Sequence, residues 1–325
     1  MRTISYSDAL REALTEELRR DDNVFVMGED IGPYGGAFGV TRGMLDTFGP
    51  ERVVDTPISE AGFVGIAVGA SLMGSRPVVE IMFMDFIPLA MDPIVNQAAK
   101  LRYVYGPQAT CPVVIRTAAG GGRRYGPTHS QTFESWFMHT PGLTVIAPAT
   151  PADAKGLLKS AIRDDNPVIF IEQKSLYSTR GPVPKTSRTT IPIGKARIAV
   201  EGEDITIIGW GRGAIEAEAA AAQLEQDGIR AEVLDLRTLK PLDMATIAES
   251  VRKTGRVIIT DESPRVCSVS SEIGCRIFED VFDYLDAPIK RVTTPDVPIP
   301  ASPILEDAAL PGRTDIVRAA RRLTA

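Results

Sequence analysis

The chain has 325 residues, 44% of them hydrophobic, which predicts two domains of ordinary size. Its net charge of −6 excludes the basic surface expected of a nucleic-acid-binding protein, and its longest apolar stretch, residues 61–70, is too short and glycine-rich to span a membrane. Three widely spaced cysteines, and an N-terminus without an apolar signal core, favour a reducing, cytoplasmic compartment.

Strand and helix patterns alternate along the first half of the chain. Apolar residues at helical spacing predict a helix over residues 5–20, with Ser7 as its N-cap. Short apolar runs predict strands at 24–27, 53–54, 77–83, 113–116, 143–147 and 167–171. Helices are predicted over 61–70, 87–104 and 151–162. This alternation is typical of a parallel sheet covered on both faces.

The rhythm breaks after residue 177, where proline, threonine and basic residues replace the apolar runs. It resumes at residue 204 with four further strands that alternate with helices. We therefore expect an α/β protein with two doubly wound domains. The predicted boundaries are residues 1–180, a linker at 181–203, and a smaller second domain at 204–325.

One motif, Asp-Thr-Pro-Ile-Ser-Glu at 55–60, places a carboxylate at the point where an extended turn becomes a helix. The helix that follows consists almost entirely of small and apolar residues, so we expect it to be buried on every side. Glu60 would then lie at the edge of a core or an interface. Two interpretations stay open at this point: a carboxylate favoured by the helix dipole, or a functional acid.

Other candidates follow the ends of predicted strands, where ligands bind in parallel α/β sheets. His129 lies in a glycine-rich loop and could move protons near neutral pH, or could simply bond to the backbone. Glu29 and Asp30 follow the first strand and could form a metal site, serve as partners of Glu60 or be turn residues; the flanking glycines explain a turn and argue against the metal site. Phe86 could stack on a planar ligand or pack in the core.

Several motifs taken together resemble one family, the beta subunits of the thiamine diphosphate-dependent first component of 2-oxo acid dehydrogenase complexes. That family includes pyruvate, branched-chain 2-oxo acid and acetoin dehydrogenases. The resemblance covers essentially the whole chain, in the expected order. It rests on GEDIG at 28–32, DTPISEAGF at 55–63, EIMFMDF at 80–86, GPTHSQ at 126–131, the segment 141–172, and DYLDAPIKRVTTPDVPIP at 283–300.

The resemblance implies a pyrimidine-binding domain followed by a transketolase C-terminal domain, and it assigns roles to particular residues. Glu60 would hydrogen-bond the aminopyrimidine ring of thiamine diphosphate and so promote loss of the thiazolium proton. Phe86 would stack on that ring, and Ile58 and Glu29 would complete the cofactor site. His129 would face the substrate and the lipoyl group.

The resemblance also implies metal ions and a partner. A structural potassium ion would lie at Val113, Ala161, Ile162, Asp164 and Asn166, bound mostly by backbone oxygens. The family's Gly-Asp-Gly…Asn-Asn motif, which holds Mg²⁺ and the diphosphate, is absent from this sequence and belongs to the alpha subunit. We therefore expect half a site, completed in an α₂β₂ heterotetramer that passes its acyl group to a lipoyl-bearing acyltransferase. Gly65 and Gly69 would let another helix approach closely.

The expected activity is thiamine-dependent oxidative decarboxylation of pyruvate or a branched-chain 2-oxo acid, only in the presence of the alpha subunit. Three alternatives remain open: an acetoin dehydrogenase beta subunit, a self-sufficient transketolase-like enzyme, and a non-catalytic assembly subunit of the same fold. The missing diphosphate motif argues against the second. The presence of Glu60, Phe86 and His129 argues against the third.

Overall fold

The computed structural model describes residues 1–324. The chain divides into two compact units. The first unit combines Met1–Ala119 with Trp136–Ile193, and the second combines Gly120–Ser135 with the chain from Gly194 onward. The segment 120–135 therefore follows a strand of the first unit in sequence but packs with the second.

Strands and helices alternate through residue 193, as the sequence predicts. They are β1 (Arg2–Ser5), α1 (Tyr6–Arg20), β2 (Val24–Gly28), α2 (Met44–Phe48), β3 (Val53–Asp55), α3 (Glu60–Leu72), β4 (Arg76–Ile81), α4 (Ala99–Tyr105), β5 (Val114–Ala119), α5 (Glu134–His139), β6 (Thr144–Ile146), α6 (Pro151–Arg163), β7 (Val168–Gln173) and β8 (Arg180–Val183).

The sheet of the first unit is parallel. Its strands lie in the order β6, β7, β5, β4, β2, β3, while β1 and β8 form a separate antiparallel pair. Buried strands of this kind are nearly continuous apolar runs, which is why the sequence locates them well. The carboxyl ends of β4, β2 and β3 are neighbours, so the loops that follow these strands leave the same edge of the sheet.

Two helix predictions need correction. The N-cap of α1 is Ser5 rather than Ser7, because the Ser5 hydroxyl accepts the N–H of Asp8 at 3.1 Å. The helix predicted over 87–104 is broken into a 3₁₀ segment at Met84–Ala90, a π-helical segment at Asp92–Ala98, and α4. Pro88 and Pro93 lie within this stretch, and each lacks the N–H that a regular helix needs.

Helix α3 is not buried on every side within this chain, contrary to expectation. Phe63 and Val64 face the core, whereas Gly65 and Gly69 are exposed and Ile66 is 63% exposed. A Cβ added at Gly65 or Gly69 would meet no atom within 4 Å among residues 1–324. The helix therefore presents an apolar face of small residues that residues 1–324 do not cover.

The second unit contains a smaller sheet in the order β14, β13, β10, β11, β9. All neighbours pair in parallel except β9, which runs antiparallel to β11 at the edge. The elements of the second unit are β9 (Arg197–Val200), β10 (Ile205–Gly209), α7 (Arg212–Leu224), β11 (Ala231–Asp235), β12 (Thr238–Lys240), α8 (Met244–Thr254), β13 (Val257–Pro264), α9 (Val269–Val281), β14 (Lys290–Thr294), α10 (Pro303–Ala309) and α11 (Arg313–Leu323).

The two units confirm the predicted α/β class with parallel-dominated sheets. Residues 181–203, predicted as a linker, include most of β8 and all of β9. These two strands were missed because both are short and only partly buried, so they lack the apolar run that marks a central strand. The C-terminal helices α10 and α11 were also missed.

Candidate active site

Three of the predicted site residues follow adjacent strands of the first unit. Glu29 comes directly after β2, Glu60 lies five residues after β3, and Phe86 lies five residues after β4. The Thr56 N–H donates to the Gly28 carbonyl at 3.0 Å, which fixes the chain leading into Glu60 against the end of β2. Sheet topology thus delivers all three residues to one edge.

The backbones of β2 and β4 pack closely at this edge of the sheet. A Cβ at Gly28 would lie 2.5 Å from the carbonyl oxygen of Glu80 on the neighbouring β4. Glycine is therefore required where β2 ends, since any other residue would push the two strands apart.

Glu60 is the first residue of α3 and is 5% exposed. The first turn of a helix carries partial positive charge, which stabilises a carboxylate that has lost most of its water. Both interpretations of Glu60 from the sequence are therefore compatible with its position. Ile58, two residues earlier, is 85% exposed, which is unusual for so large an aliphatic side chain.

Glu29 carries an unsatisfied polar atom. Its Oε1 is buried and has no hydrogen-bond partner among residues 1–324. Burial raises the pKa of Glu29, and the negative charges of Glu60 and Asp30 raise it further. A buried acceptor without a donor is costly, so this oxygen suits a hydrogen-bond donor supplied from outside the chain.

Phe86 belongs to an aromatic cluster. Its ring packs edge-on against Phe83, with centroids 5.7 Å apart, and Phe83 in turn meets Phe38 edge-on at 5.5 Å. The ammonium of Lys174 lies 5.4 Å from the centroid of the Phe83 ring. Phe86 is half-buried, so it is not enclosed in the core.

A buried ion network lies in the same sheet, and the sequence reasoning missed it. Arg116 of β5 donates at 2.7 Å to Glu80 of β4 and at 2.7 and 3.0 Å to Glu172 of β7. The Tyr177 hydroxyl also donates to Glu172, at 2.7 Å. Burial alone would lower the pKa of Arg116, but Glu172 and Glu80 outweigh it and hold that pKa above its ordinary value.

The sequence does contain a signal for this network. Each of three adjacent strands carries a charged residue directly after at least two apolar residues, and the signs are complementary: Glu80, Arg116 and Glu172. Buried charges are nearly always paired, so the three could have been matched. The network connects to the aromatic cluster, because the Tyr177 ring stacks on Phe38 at 4.8 Å.

His129 lies in the second unit, in the loop 120–135. It is half-buried, and its Nδ1 lies 3.0 Å from the Thr128 hydroxyl. The main-chain N–H of His129 donates to the Gly126 carbonyl at 3.3 Å. Glu29, Glu60 and Phe86 are held by the first unit, so the predicted site residues are divided between two compact bodies.

The residues predicted to bind potassium are Val113, Ala161, Ile162, Asp164 and Asn166. The carbonyls of Ile162 and Asp164 accept the Arg76 guanidinium at 2.8 and 2.6 Å. The Val113 carbonyl accepts the Val168 N–H at 2.9 Å. A carbonyl has two lone pairs, so a cation could still bind, although Arg76 already brings positive charge to two of the five residues. Potassium binding stays a prediction.

Across residues 1–324, no three His, Cys, Asp or Glu side chains are grouped as ligands for a metal ion. Over the same range, no helix combines the length and the apolar character needed to cross a bilayer.

Comparison with known proteins identifies the family. The family model described as "Transketolase, pyrimidine binding domain" matches residues 2–180, and "Transketolase, C-terminal domain" matches residues 194–316. The chain is 48% identical over 321 residues to the pyruvate dehydrogenase E1 component subunit beta of Rhizobium meliloti (strain 1021), with 99% of this chain and 70% of that protein covered. The chain belongs to the E1 beta-subunit family.

Further relatives define the breadth of the family. The chain is 46% identical over 328 residues to the acetoin:2,6-dichlorophenolindophenol oxidoreductase subunit beta of Bacillus subtilis (strain 168), with 97% and 96% coverage. A solved structure described as a split-gene transketolase, inactive beta4 tetramer, superposes with a TM-score of 0.80 at 25% identity, covering 99% of this chain and 98% of that one. These matches confirm the resemblance drawn from the motifs and support the expected function of an E1 beta chain.

Proposed function

We propose that this chain is the beta subunit of a thiamine diphosphate-dependent 2-oxo acid dehydrogenase that decarboxylates pyruvate or a branched-chain 2-oxo acid. One observation carries the proposal: a buried oxygen of Glu29, which has no hydrogen-bond partner among residues 1–324, lies beside Glu60 at the start of α3. Two neighbouring carboxylates at the end of a parallel sheet suit the binding of a protonated nitrogen heterocycle. The N-terminal family match, a pyrimidine-binding domain, supports such a ligand.

The first unit would hold the aminopyrimidine ring. Glu60 would accept a hydrogen bond from the ring nitrogen and stabilise its protonated form. Glu29 would hold the Glu60 carboxylate in position. Phe86 would stack on the ring, and the exposed aliphatic side chain of Ile58 would cover its edge. When bound, thiamine diphosphate supplies the electron sink for cleaving the bond to the leaving carboxylate; the protein's part is to bind, orient and manage protons.

His129 would handle a proton at the substrate. Its imidazole carries a ring N–H and lies on a structured loop, so it suits a donor to the substrate oxygen or to the sulfur of the incoming lipoyl group. The acyl group would then leave on a lipoyl domain of the acyltransferase core. Positioned proton transfer of this type is typically worth ~10²–10⁴-fold in rate.

The alpha subunit would complete the site. This sequence lacks Gly-Asp-Gly and Asn-Asn, the motif that the resemblance assigns to Mg²⁺ and the diphosphate. The uncovered apolar face of α3 offers a surface for a partner helix in an α₂β₂ assembly. We therefore propose that activity requires both chains, with Mg²⁺ held mainly by the alpha subunit.

The experiment is co-expression with the alpha subunit and assay against pyruvate, branched-chain 2-oxo acids and acetoin, with thiamine diphosphate and Mg²⁺. Turnover of a 2-oxo acid by the complex, and none by the isolated beta chain, is expected. Activity of the isolated chain with the cofactor would instead favour a self-sufficient enzyme.

Acetoin cleavage is the second candidate. It is favoured by 46% identity to an acetoin oxidoreductase beta subunit, close to the 48% identity to a pyruvate dehydrogenase beta subunit. The same assay separates the two, because an acetoin enzyme would release acetaldehyde from acetoin and show little turnover of pyruvate.

A further inference from the structure

The loop that carries His129 is fastened at its beginning by two acidic side chains. Glu306 of α10 is fully buried and accepts the N–H of Gly122 at 2.9 Å and the N–H of Arg124 at 3.1 Å. Glu262 of β13 accepts the N–H of Gly121. Three main-chain donors within four residues are therefore satisfied by side chains more than 130 positions away in sequence.

The Arg124 side chain closes the same contact. Its guanidinium donates to Glu306 at 2.7 Å and to the exposed Asp307 at 2.7 and 3.1 Å. Glu306 thus accepts hydrogen bonds from two main-chain N–H groups and one guanidinium. These bonds offset the cost of burying its charge. Arg124 has φ +64°, a left-handed conformation that a non-glycine residue keeps only where its surroundings impose it.

The chain at Gly121 packs tightly against α10. A Cβ at Gly121 would lie 2.9 Å from a methyl group of Leu310 and 3.3 Å from Glu306 Oε1. At the far end of the loop, the Gly120 N–H donates to the Gln131 carbonyl at 3.2 Å, and the Thr132 hydroxyl donates to Ser263 at 3.2 Å. One hydrogen bond thus joins the two ends of the loop at Gly120 and Gln131, and the two carboxylates hold residues 121–124. His129 lies between these two points.

We propose that Glu306, assisted by Glu262, is a positioning residue for His129. We call the contacts of these two carboxylates with residues 121–124 the loop latch. Through the backbone of the loop, the loop latch sets the position and orientation of the His129 imidazole. The latch itself does not contact the substrate. The proposal rests on the proposed function, in which His129 manages a proton.

The test uses the co-expressed heterotetramer and the variant Glu306→Gln. The NH₂ group of the glutamine side chain is a hydrogen-bond donor, and it would face one of the donors that Glu306 now accepts. Part of the loop latch would therefore break. Losing a hydrogen bond to a charged acceptor makes local opening roughly tenfold or more frequent, so hydrogen exchange at residues 121–131 should rise by about that factor. Turnover should fall about tenfold or more, with little change in KM for the 2-oxo acid, because misplaced catalytic groups slow chemistry.

Asp307→Asn is the matched control. It removes a charge from the same Arg124 contact but leaves Glu306 and the three amide bonds intact, so exchange and turnover should stay near wild type. Glu262→Gln loosens the latch from the other element and serves if Glu306→Gln does not fold. Its exchange should also rise at residues 121–131.

A double variant decides whether the effect passes through His129. If Glu306 acts by positioning the imidazole, Glu306→Gln should slow a His129→Ala enzyme by less than twofold. An equal loss in both backgrounds would overturn the positioning role. If hydrogen exchange is normal in both carboxylate variants while His129→Ala slows turnover, only the loop latch is refuted. Full turnover in His129→Ala would instead refute the role of His129 in the proposed function.

Discussion

Glu29 and Glu60 follow neighbouring parallel strands, and their carboxylates are close enough for the charge of Glu60 to add to the burial that raises the pKa of Glu29. Such a pair is unfavourable in the free chain, because two like charges share little water. It becomes favourable when a cationic or proton-bearing ligand lies between or beside the carboxylates. The cost of holding the pair is therefore a physical argument for a ligand at this edge of the sheet.

Glu60→Gln tests the central proposal. Gln keeps the volume and the place in the first turn of α3 but cannot stabilise a protonated ring nitrogen, so turnover of the heterotetramer should fall by ~10²–10⁴-fold. The thermal midpoint should change little, because the glutamine also relieves the repulsion with Glu29. Turnover near wild type would sink the assignment of Glu60 as the activating acid.

Glu29→Gln should change how stability depends on pH. The pKa of Glu29 is raised above its ordinary value of 4.5, so the folded state binds this proton more tightly than the unfolded state does. Stability therefore falls as pH rises from about that value through the raised pKa. In Glu29→Gln this fall should disappear, which urea titrations of the beta chain at several pH values would reveal; an unchanged slope would contradict the raised pKa.

Sequence patterns located the elements that depend on local signals. Continuous apolar runs marked the central strands, and the turn after each strand marked the positions of Glu29, Glu60 and Phe86. The contacts that were missed join distant residues: Arg116 with Glu172, and Glu306 with the loop at 121–124. The partner of a buried charge can be identified only after the strand order is known. In sequence, Glu306 next to Asp307 in a short helix resembles any solvated glutamate.

Glu17 should contribute to acid sensitivity of the first unit. Its fully buried carboxylate joins α1 to α6 by accepting Arg163 at 2.6 and 2.9 Å, and it also pairs with Arg20 at 2.6 Å. Burial alone would raise the pKa of Glu17, but hydrogen bonds from Arg163 and Arg20 outweigh it, and the pKa lies below its ordinary 4.5. This stabilisation is complete above pH 4.5 and is lost as pH falls through the lowered pKa.

Glu17→Gln should therefore lower the free energy of unfolding at pH 7 by about 1–3 kcal/mol, and the difference from wild type should shrink toward pH 3. Glu12→Gln is the control, because Glu12 lies on the same helix but is partly exposed and pairs with Arg2 and Lys155. Its effect should stay under ~1 kcal/mol. An equal loss in both variants would show that burial of Glu17 is irrelevant.

Gly65→Leu tests whether the exposed face of α3 is a subunit contact. A Cβ at Gly65 meets no atom within 4 Å in residues 1–324, and leucine favours a helix over glycine by up to ~1 kcal/mol, so the beta chain alone should fold at least as stably as wild type. If a partner helix packs on this face, the added side chain should block it, and co-purification with the alpha subunit should be lost.

The matched control for that variant is Ala222→Leu, which adds a similar side chain to the exposed face of α7 in the second unit. This variant should assemble normally, because α7 carries no comparable stripe of exposed glycine. Sedimentation of the co-expressed proteins gives the stoichiometry of each. A full heterotetramer with Gly65→Leu would rule out close helix packing at α3, since a leucine there fills the space between two backbones that only small residues leave open.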